Sequence, residues 1–306
     1  MSLNILVTGG AGFIGSNLID SFISQNYDVS VLDNLSSGSI NNINTKAVFH
    51  KISIEEKDKI FKLFSEDKFE IVFHLAAVPA ISSSREKALK EFQTTITGII
   101  NLLKAASKIK LKKFIYFSSA AVYSQNAKLP IIENSQTDPI SYYGLSKFVG
   151  ECLVLQLCKI NKIPYIIFRP ANVYGPRQRT DGEGGAITSF IGQLSSNQNI
   201  KINGNGKKTR DFIFVDDVIN ACMLAIKSNL SGVFNLGTSK ETSIIDLAKH
   251  LQEITNKAVP IKFLNDKEGE IQNSSLDSQK IKGFGWVPKT DLENGLKITW
   301  KYFSAL

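Results

Sequence analysis

The 306-residue sequence has little cysteine, little histidine and no long apolar run. Its three cysteines, Cys152, Cys158 and Cys222, are odd in number and fall in helix-like segments. That argues against a disulfide scaffold and for reduced core thiols in a cytosolic protein. The three histidines, His50, His74 and His250, lie far apart, and none stands at a metal-ligand spacing from another His or Cys. They are read as structural, and no metal is expected. No apolar stretch approaches the roughly 20 residues of a membrane-spanning helix. The opening "MSLNILVTGG" enters a strand pattern directly, without the basic and apolar regions of an export signal. A cytoplasmic protein with no membrane partner is expected. The net charge of +8, from 36 Lys and Arg against 28 Asp and Glu, is spread along the chain. It favours acidic small molecules, and without basic runs interleaved with aromatics it excludes nucleic acid as the expected partner.

What is present is alternation. Short β-branched or aromatic runs (Leu3–Thr8, Val29–Leu32, Ile71–His74, Phe114–Ser118, Tyr165–Phe168) alternate with helix-length segments (Ile14–Gln25, Ala88–Ser107, Tyr143–Lys159). Apolar strands alternating with helices predict an α/β protein: a Rossmann-type, doubly wound parallel sheet covered on both faces. After Arg169 the rhythm changes. "ANVYGPRQRTDGEGG" reads as a long loop, and later segments read as a smaller C-terminal substrate-binding lobe ending in "GFGWVPK" and a helix from Asp291. The expected division is 1–168 with 210–238 packing back onto it, and 169–209 with 239–306 as the lobe.

"NILVTGGAGFIGSNL" places Gly9, Gly12 and Gly15 at three-residue spacing, after a strand and at the start of a helix. Small residues let the backbone approach a pyrophosphate, and the helix N-terminus offers free N–H groups and a positive dipole end. A second strand, "VSVLD", ends in Asp33, whose carboxylate would accept hydrogen bonds from ribose hydroxyls and repel a 2′-phosphate. Asn34 follows rather than Arg, so NAD is expected over NADP.

The stretch "PISYYGLSKFVGE" sets two tyrosines before a lysine. Residues four apart share a helical face, so Tyr143 pairs with Lys147 and Tyr142 with Ser146. A free tyrosine, with a pKa of about 10, is a poor base at neutral pH. An ammonium about 4 Å away, at an effective dielectric of about 20, is worth roughly 4 kcal/mol, nearly three pKa units. Tyr143 is therefore the expected base, with its pKa lowered by Lys147.

With "TGGAGFIG", "HLAA", "SSAAVY", "YYGLSK", "RPANVYGPRQ" and "TRDFIFVDDV" in this order, the chain resembles the extended short-chain dehydrogenase/reductases. Within them it is most similar to the NAD-dependent UDP-hexose 4-epimerases. The resemblance implies a triad of Ser119, Tyr143 and Lys147. It implies cofactor contacts from Phe13, Ile14, Ser37, Gly38, Ser53, Ile54, Leu75, Ala76 and Ala77 beside the glycines, Asp33 and Asn34, and from Tyr143 and Lys147. For a UDP-sugar substrate it implies Ser119, Asn172, Ile187, Lys201, Asn203, Arg210, Lys267 and Ser274. Arg210 would grip the diphosphate, a job suited to its forked donors, with a local ion pair to Asp211 as the alternative. The corresponding helices pair across a two-fold axis in resembling proteins, and "KEFQTTITGIINLLKAA" and "YYGLSKFVGECLVLQLC" are broadly apolar, so a homodimer is expected.

The residues after Ser119 discriminate among reactions. Dehydratases of the family carry an Asp–Glu pair there and decarboxylases a Glu, whereas this chain has Ala120 and Ala121. The expected reaction is 4-epimerisation: Tyr143 takes the 4-hydroxyl proton, hydride leaves C4 for NAD, and the 4-keto sugar turns over before hydride returns. A 4-reductase that releases NADH, another epimerase, and an NAD-binding regulator without turnover remain alternatives. Three departures stand out: Ser53 for an Asp against the adenine, Thr95 for a helical Asn, and Lys267 for a diphosphate-clamping Arg. In resembling epimerases the residue seven positions after that Arg helps form the wall against the sugar's 2-substituent; counted from Lys267 this is Ser274, a small residue that would admit an N-acetyl group.

Overall fold

The computed structural model describes residues 2–77, 85–180, 185–266 and 271–305. It divides into two compact units. The first comprises Met1–Val122, Pro139–Arg169 and Ala221–Phe234. The second comprises Tyr123–Asp138, Pro170–Asn220 and Asn235–Leu306.

The first unit is built on the strands β1 (Asn4–Thr8), β2 (Asp28–Asp33), β3 (Val48–Lys51), β4 (Ile71–His74), β5 (Lys113–Phe117) and β6 (Tyr165–Pro170). With Gly232–Leu236 they form a seven-stranded sheet in the order Gly232–Leu236, β6, β5, β4, β1, β2, β3. Neighbours from β3 to β6 pair in parallel, in the register that sets Thr8 beside Leu32 and His74. This is the doubly wound arrangement expected from the alternating pattern. The order reverses between β1 and β4, and such sheets take ligands at the strand ends beyond that point.

Helices α1 (Phe13–Ser24), α2 (Lys57–Glu66), α3 (Arg85–Ala106) and α4 (Tyr142–Asn161) cover this sheet. One core cluster packs Leu6, Val72 and Phe114 of the strands against Ile99, Leu102 and Leu103 of α3 and Val154 and Cys158 of α4. Continuous burial explains why β1, β4 and β5 read as apolar runs. By contrast β3 is half-exposed and short, and α2 buries only Ile60, Leu63 and Phe64, so neither left a strong pattern. Cys158 and Cys222 are buried thiols, but Cys152 is exposed, a correction to the expectation of three core cysteines. It follows Glu151, which is buried, and one step along a helix turns a side chain by about 100°.

The second unit contains three two-stranded sheets: Asn172–Tyr174 with Phe212–Phe214, Thr209–Arg210 with Thr242–Ser243, and Ile200–Asn203 with Ile261–Leu264. Its C-terminal segment is anchored on buried Asp217. The Asp217 carboxylate accepts from the backbone N–H of Lys289 (2.8 Å) and Thr290 (3.0 Å), and its carbonyl accepts from the Trp286 indole (2.9 Å). Asp291 then caps the helix Leu292–Ser304 by accepting from Asn294 N–H at 2.8 Å. Among the described residues no helix is long and apolar enough to cross a membrane.

Candidate active site

The glycine loop follows β1. Gly9 has φ +71°, and a Cβ there would lie 2.6 Å from the Ala76 nitrogen. A Cβ on Gly15 would collide with the Gly9 carbonyl, so the first turn of α1 rests directly on the loop. Gly12 stands at the N-cap of α1 with no side-chain cap, and the first turn, which starts with Phe13, Ile14 and Gly15, carries no acidic residue. A helix start left uncapped in this way has N–H groups available to an anion. The far side of the loop is held by Asp33, whose carboxylate accepts from Ala11 N–H (3.0 Å) and Leu35 N–H (2.8 Å). The Asn34 side chain accepts from Ser36 N–H, Ser37 is exposed, and Gly38 is pressed against Ala11. Leu75 and Ala76 run beside the glycines, their N–H groups bonded to the carbonyl and hydroxyl of Thr8, and Ala77 follows, half-buried. This backbone-lined cradle fits a dinucleotide pyrophosphate.

Ser53 is drawn into its own turn, its N–H donating to Glu56 at 2.8 Å. Ile54 is buried against Gly98 of α3. Asn101 of α3, which sequence reasoning missed, donates to the Ile54 carbonyl at 3.1 Å and fixes this edge, while Thr95 is buried.

Beyond β5 the chain enters Ser118, Ser119 and a short 3-10 turn, Ala120–Val122. Ser119 Oγ accepts from Ala121 N–H at 3.1 Å. Ser141 caps α4 by accepting from Gly144 N–H at 3.0 Å, which starts the helix so that Tyr142 is exposed and Tyr143 turns inward. The Ser119 hydroxyl neighbours the Tyr143 phenol. A Cβ on Gly144 would collide with the Ala121 carbonyl, so α4 and the serine turn meet backbone to backbone. Lys147 is buried. Its Nζ donates to the Phe117 carbonyl at 2.8 Å and lies 5.8 Å from the Tyr143 ring centre and 5.3 Å from that of Tyr116.

The structure thus brings Ser119, Tyr143 and Lys147 together, but it corrects the electrostatic argument. Burial raises the Tyr143 phenol above its ordinary value, and the neighbouring Ser119 hydroxyl offsets part of that rise. Burial also lowers Lys147 to about 8, against an upward pull from Glu151. The ammonium is engaged by a carbonyl rather than held against the phenol oxygen, so it does not deliver the expected lowering.

Sequence reasoning also missed Glu151, one helical turn beyond Lys147. Its buried carboxylate takes a two-pronged bond from Arg169 of β6 (2.8 and 2.6 Å) and a hydrogen bond from Ser118 Oγ. The signal was available, since Lys147 and Glu151 stand four apart in "SKFVGE". Buried His74 bonds Thr8 through Nδ1 at 2.7 Å, and burial depresses it to about 3, so it stays neutral.

In the second unit, Asn172 N–H donates to the Asp211 carbonyl at 2.9 Å, and Arg210 Nη1 donates to the carbonyls of Thr209 (2.7 Å) and Gln272 (3.3 Å). The Asp211 carboxylate accepts from the backbone N–H groups of Thr238, Ser239 and Leu276 and from the Thr238 hydroxyl. Asn172, Arg210 and the segment carrying buried Ser274 are therefore tied together around Asp211. Ile187 is buried near the start of helix Ala186–Ser195. Lys201 is exposed and Asn203 half-buried on strand Ile200–Asn203, and Lys267 lies outside the described residues.

Residues 5–237 match the model of the NAD dependent epimerase/dehydratase family. The chain belongs to this family. A solved Thermotoga maritima UDP-glucose 4-epimerase with UDP-glucose is 39% identical, with a TM-score of 0.96 and 99% of each chain covered. A Methanobrevibacter ruminantium UDP-N-acetylglucosamine 4-epimerase, solved in complex with UDP-N-acetylmuramic acid, is 30% identical, with a TM-score of 0.94 and the same coverage. Human dTDP-D-glucose 4,6-dehydratase is 33% identical over 98% of this chain and 89% of its own. Family members named for different reactions thus stand at similar identity, and the reaction must be read from side chains beside Ser119.

Proposed function

We propose that this family member interconverts the C4 epimers of a UDP-hexose or UDP-N-acetylhexosamine, using NAD. The observation that carries the reading is the placing of Ser119 beside Tyr143 with Lys147 buried behind it and only the apolar Ala120, Ala121 and Val122 on the adjoining turn. NAD, when bound, takes a hydride from the sugar carbon and gives it back. The glycine loop and the open start of α1 hold the pyrophosphate, and Asp33 selects the ribose hydroxyls.

Ser119 orients the sugar oxygen through its hydroxyl. Tyr143 moves the proton at that oxygen, taking it as the ketone forms and returning it as the alcohol is restored. Lys147, buried on the same helical face, is the group that can keep its proton while Tyr143 is a phenolate, so that the pair carries one proton between them. Ala120 and Ala121 can neither donate nor accept a proton, so nothing on this turn drives dehydration or decarboxylation. Asn172, Ile187, Lys201, Asn203, Arg210, Lys267 and Ser274 form the substrate lobe in this reading, with Arg210 on the diphosphate.

The test is incubation of purified protein with each UDP-sugar pair. Interconversion at the expense of no added reductant supports epimerisation. Net consumption of NADH with release of a reduced sugar would assign a 4-reductase instead, and NAD binding without turnover would assign a regulator.

The same reading includes a homodimer in the cytoplasm. Along α4, Leu145 and Ile160 are exposed, and along α3, Phe92, Ile96 and Ile100 are only half-buried. A second copy would cover these apolar faces. A monomer mass by light scattering at micromolar concentration would remove this part of the proposal.

A further inference from the structure

Lys147 and Glu151 stand one turn apart on α4, and both reach the end of β5. Lys147 holds the Phe117 carbonyl, and Glu151 holds the Ser118 hydroxyl, on the two residues that lead into Ser119. Arg169, on the neighbouring strand β6, clamps the Glu151 carboxylate through both of its oxygens. We propose that Glu151 is a positioning residue: braced by Arg169, it fixes the strand end before Ser119 and serves as the buried counter-charge of Lys147. This rests on the role given to Lys147 above.

The carboxylate is 2% exposed and Arg169 6%, so neither is screened by solvent. Such a pair is weak evidence of stability, because desolvating both charges offsets their attraction. Its placement therefore calls for another account. The groups around Lys147 narrow it. From α4 these are Tyr143 and Glu151; from β5, Tyr116, whose phenol burial keeps protonated; from β4, His74, neutral because burial depresses it to about 3; from β6, Arg169. Partial burial and then the Glu151 carboxylate push the Cys152 thiol up, against a smaller opposite pull from Arg169, so it is not ionised. Among these described groups Glu151 is the anion, and its carboxylate opposes the fall that burial imposes on Lys147. Arg169 keeps that carboxylate aimed, since a two-pronged guanidinium bond fixes the plane of a carboxylate. Without Glu151 the lysine would lose its proton at lower pH, and less of the phenolate–ammonium form would be available.

The test compares wild type with Glu151→Gln, Glu151→Asp and the double variant Glu151→Leu, Arg169→Met. NAD affinity is read by calorimetry and kcat/KM with a UDP-sugar, each across about pH 6 to 10. Glu151→Gln should lower kcat by about ten- to a hundredfold with KM within about twofold, and move the acid limb of both profiles to lower pH. Glu151→Asp should bring the limb back toward its wild-type position. Glu151→Gln leaves Arg169 buried without its anion and is prone to unfold. The double variant replaces both charges by apolar groups, which cores generally tolerate. It should keep the wild-type melting temperature and show the same shift of the limb. Limbs that stay at the wild-type pH while only melting temperatures fall would overturn the proposal. If the protein binds NAD without epimerising, the functional reading fails separately, and the limb of the NAD titration still decides the role of Glu151.

Discussion

Gly144 touches the Ala121 carbonyl so closely that no side chain fits between α4 and the serine turn. This contact sets the distance between the helix carrying Tyr143 and Lys147 and the turn carrying Ser119. Gly144→Ala would gain a little helix propensity, but it would push backbone against backbone. Overpacking of that kind costs about 1–3 kcal/mol. The expected outcome is a lower denaturant midpoint together with at least a tenfold loss of kcat. If Gly144→Ala retains full activity, the close approach does not set the geometry of the site.

The tyrosine pair gives a sharper contrast. Tyr142 is 40% exposed, whereas Tyr143 turns inward beside the Ser119 hydroxyl. Tyr143→Phe should abolish turnover with folding and NAD affinity intact, and Tyr142→Phe should keep most activity. Equal losses in the two variants would remove Tyr143 from its role.

Why one part of this site was legible and another was not follows from distance along the chain. Gly9, Gly12, Gly15 and Asp33 carry their chemistry in local spacing, and Tyr143 and Lys147 in helical periodicity, so the sequence pattern exposes them. Asn101, which fixes Ile54, and Arg169, which braces Glu151, act through contacts that no local pattern encodes. The direction of the tyrosine shift was misread for a related reason. Helical spacing puts Lys147 on the face of Tyr143, but it cannot show that the ammonium is taken up by the Phe117 carbonyl or how far burial outweighs attraction.

Those shifts have a consequence for pH. Lys147, lowered to about 8, gives up its proton before Tyr143, which burial holds above its ordinary value. Once the pair has lost one proton, it has two arrangements, phenol with amine or phenolate with ammonium. Only the second can take a proton from a sugar hydroxyl. Below pH about 8 both protons are held and neither arrangement is populated, so kcat/KM should climb with pH and level off above about 8. The linkage has the same sign. Between about 8 and its ordinary value of 10.5, Lys147 is more protonated in the unfolded chain, so this group makes stability rise with pH. Lys147→Met should lack that rise in chemical denaturation. A kcat/KM that falls through pH 8 would contradict the assignment.

Cofactor choice rests on Asp33, whose two carboxylate oxygens each accept a backbone N–H while closing β2. A 2′-phosphate placed there would face a buried negative charge. NAD should therefore bind at least about tenfold more tightly than NADP, a difference of about 1.4 kcal/mol. Asp33→Asn should narrow the gap and also lower stability, because its amide nitrogen would face a backbone donor. Comparable affinities of the wild type for the two cofactors, measured calorimetrically, would refute this.

In the proposed reading, Ser274 is the residue assigned to sugar choice. It is 6% exposed, two residues beyond Gln272, whose carbonyl accepts from Arg210 at 3.3 Å. In resembling epimerases the residue seven positions after the diphosphate-clamping Arg helps form the wall against the sugar's 2-substituent, and the proposed occupant of that place is Ser274, seven residues after Lys267. A serine leaves room for an acetamido group and offers it a hydroxyl. Spare room admits the larger sugar without rejecting the smaller, since such size differences are worth only about 1–3 kcal/mol. The expected result is turnover of both UDP-GlcNAc/UDP-GalNAc and UDP-glucose/UDP-galactose, with kcat/KM values within about 200-fold of each other. Because the site is buried, Ser274→Tyr carries a packing cost of about 1–3 kcal/mol whatever its role, and Ser274→Ala serves as the variant that adds no bulk. If Ser274 lines the pocket, the tyrosine should depress acetamido-sugar turnover at least tenfold more than hexose turnover, and the alanine should leave the ratio within about threefold of wild type. If the tyrosine lowers both pairs equally, its effect is on packing alone, and the sugar's 2-substituent is read elsewhere.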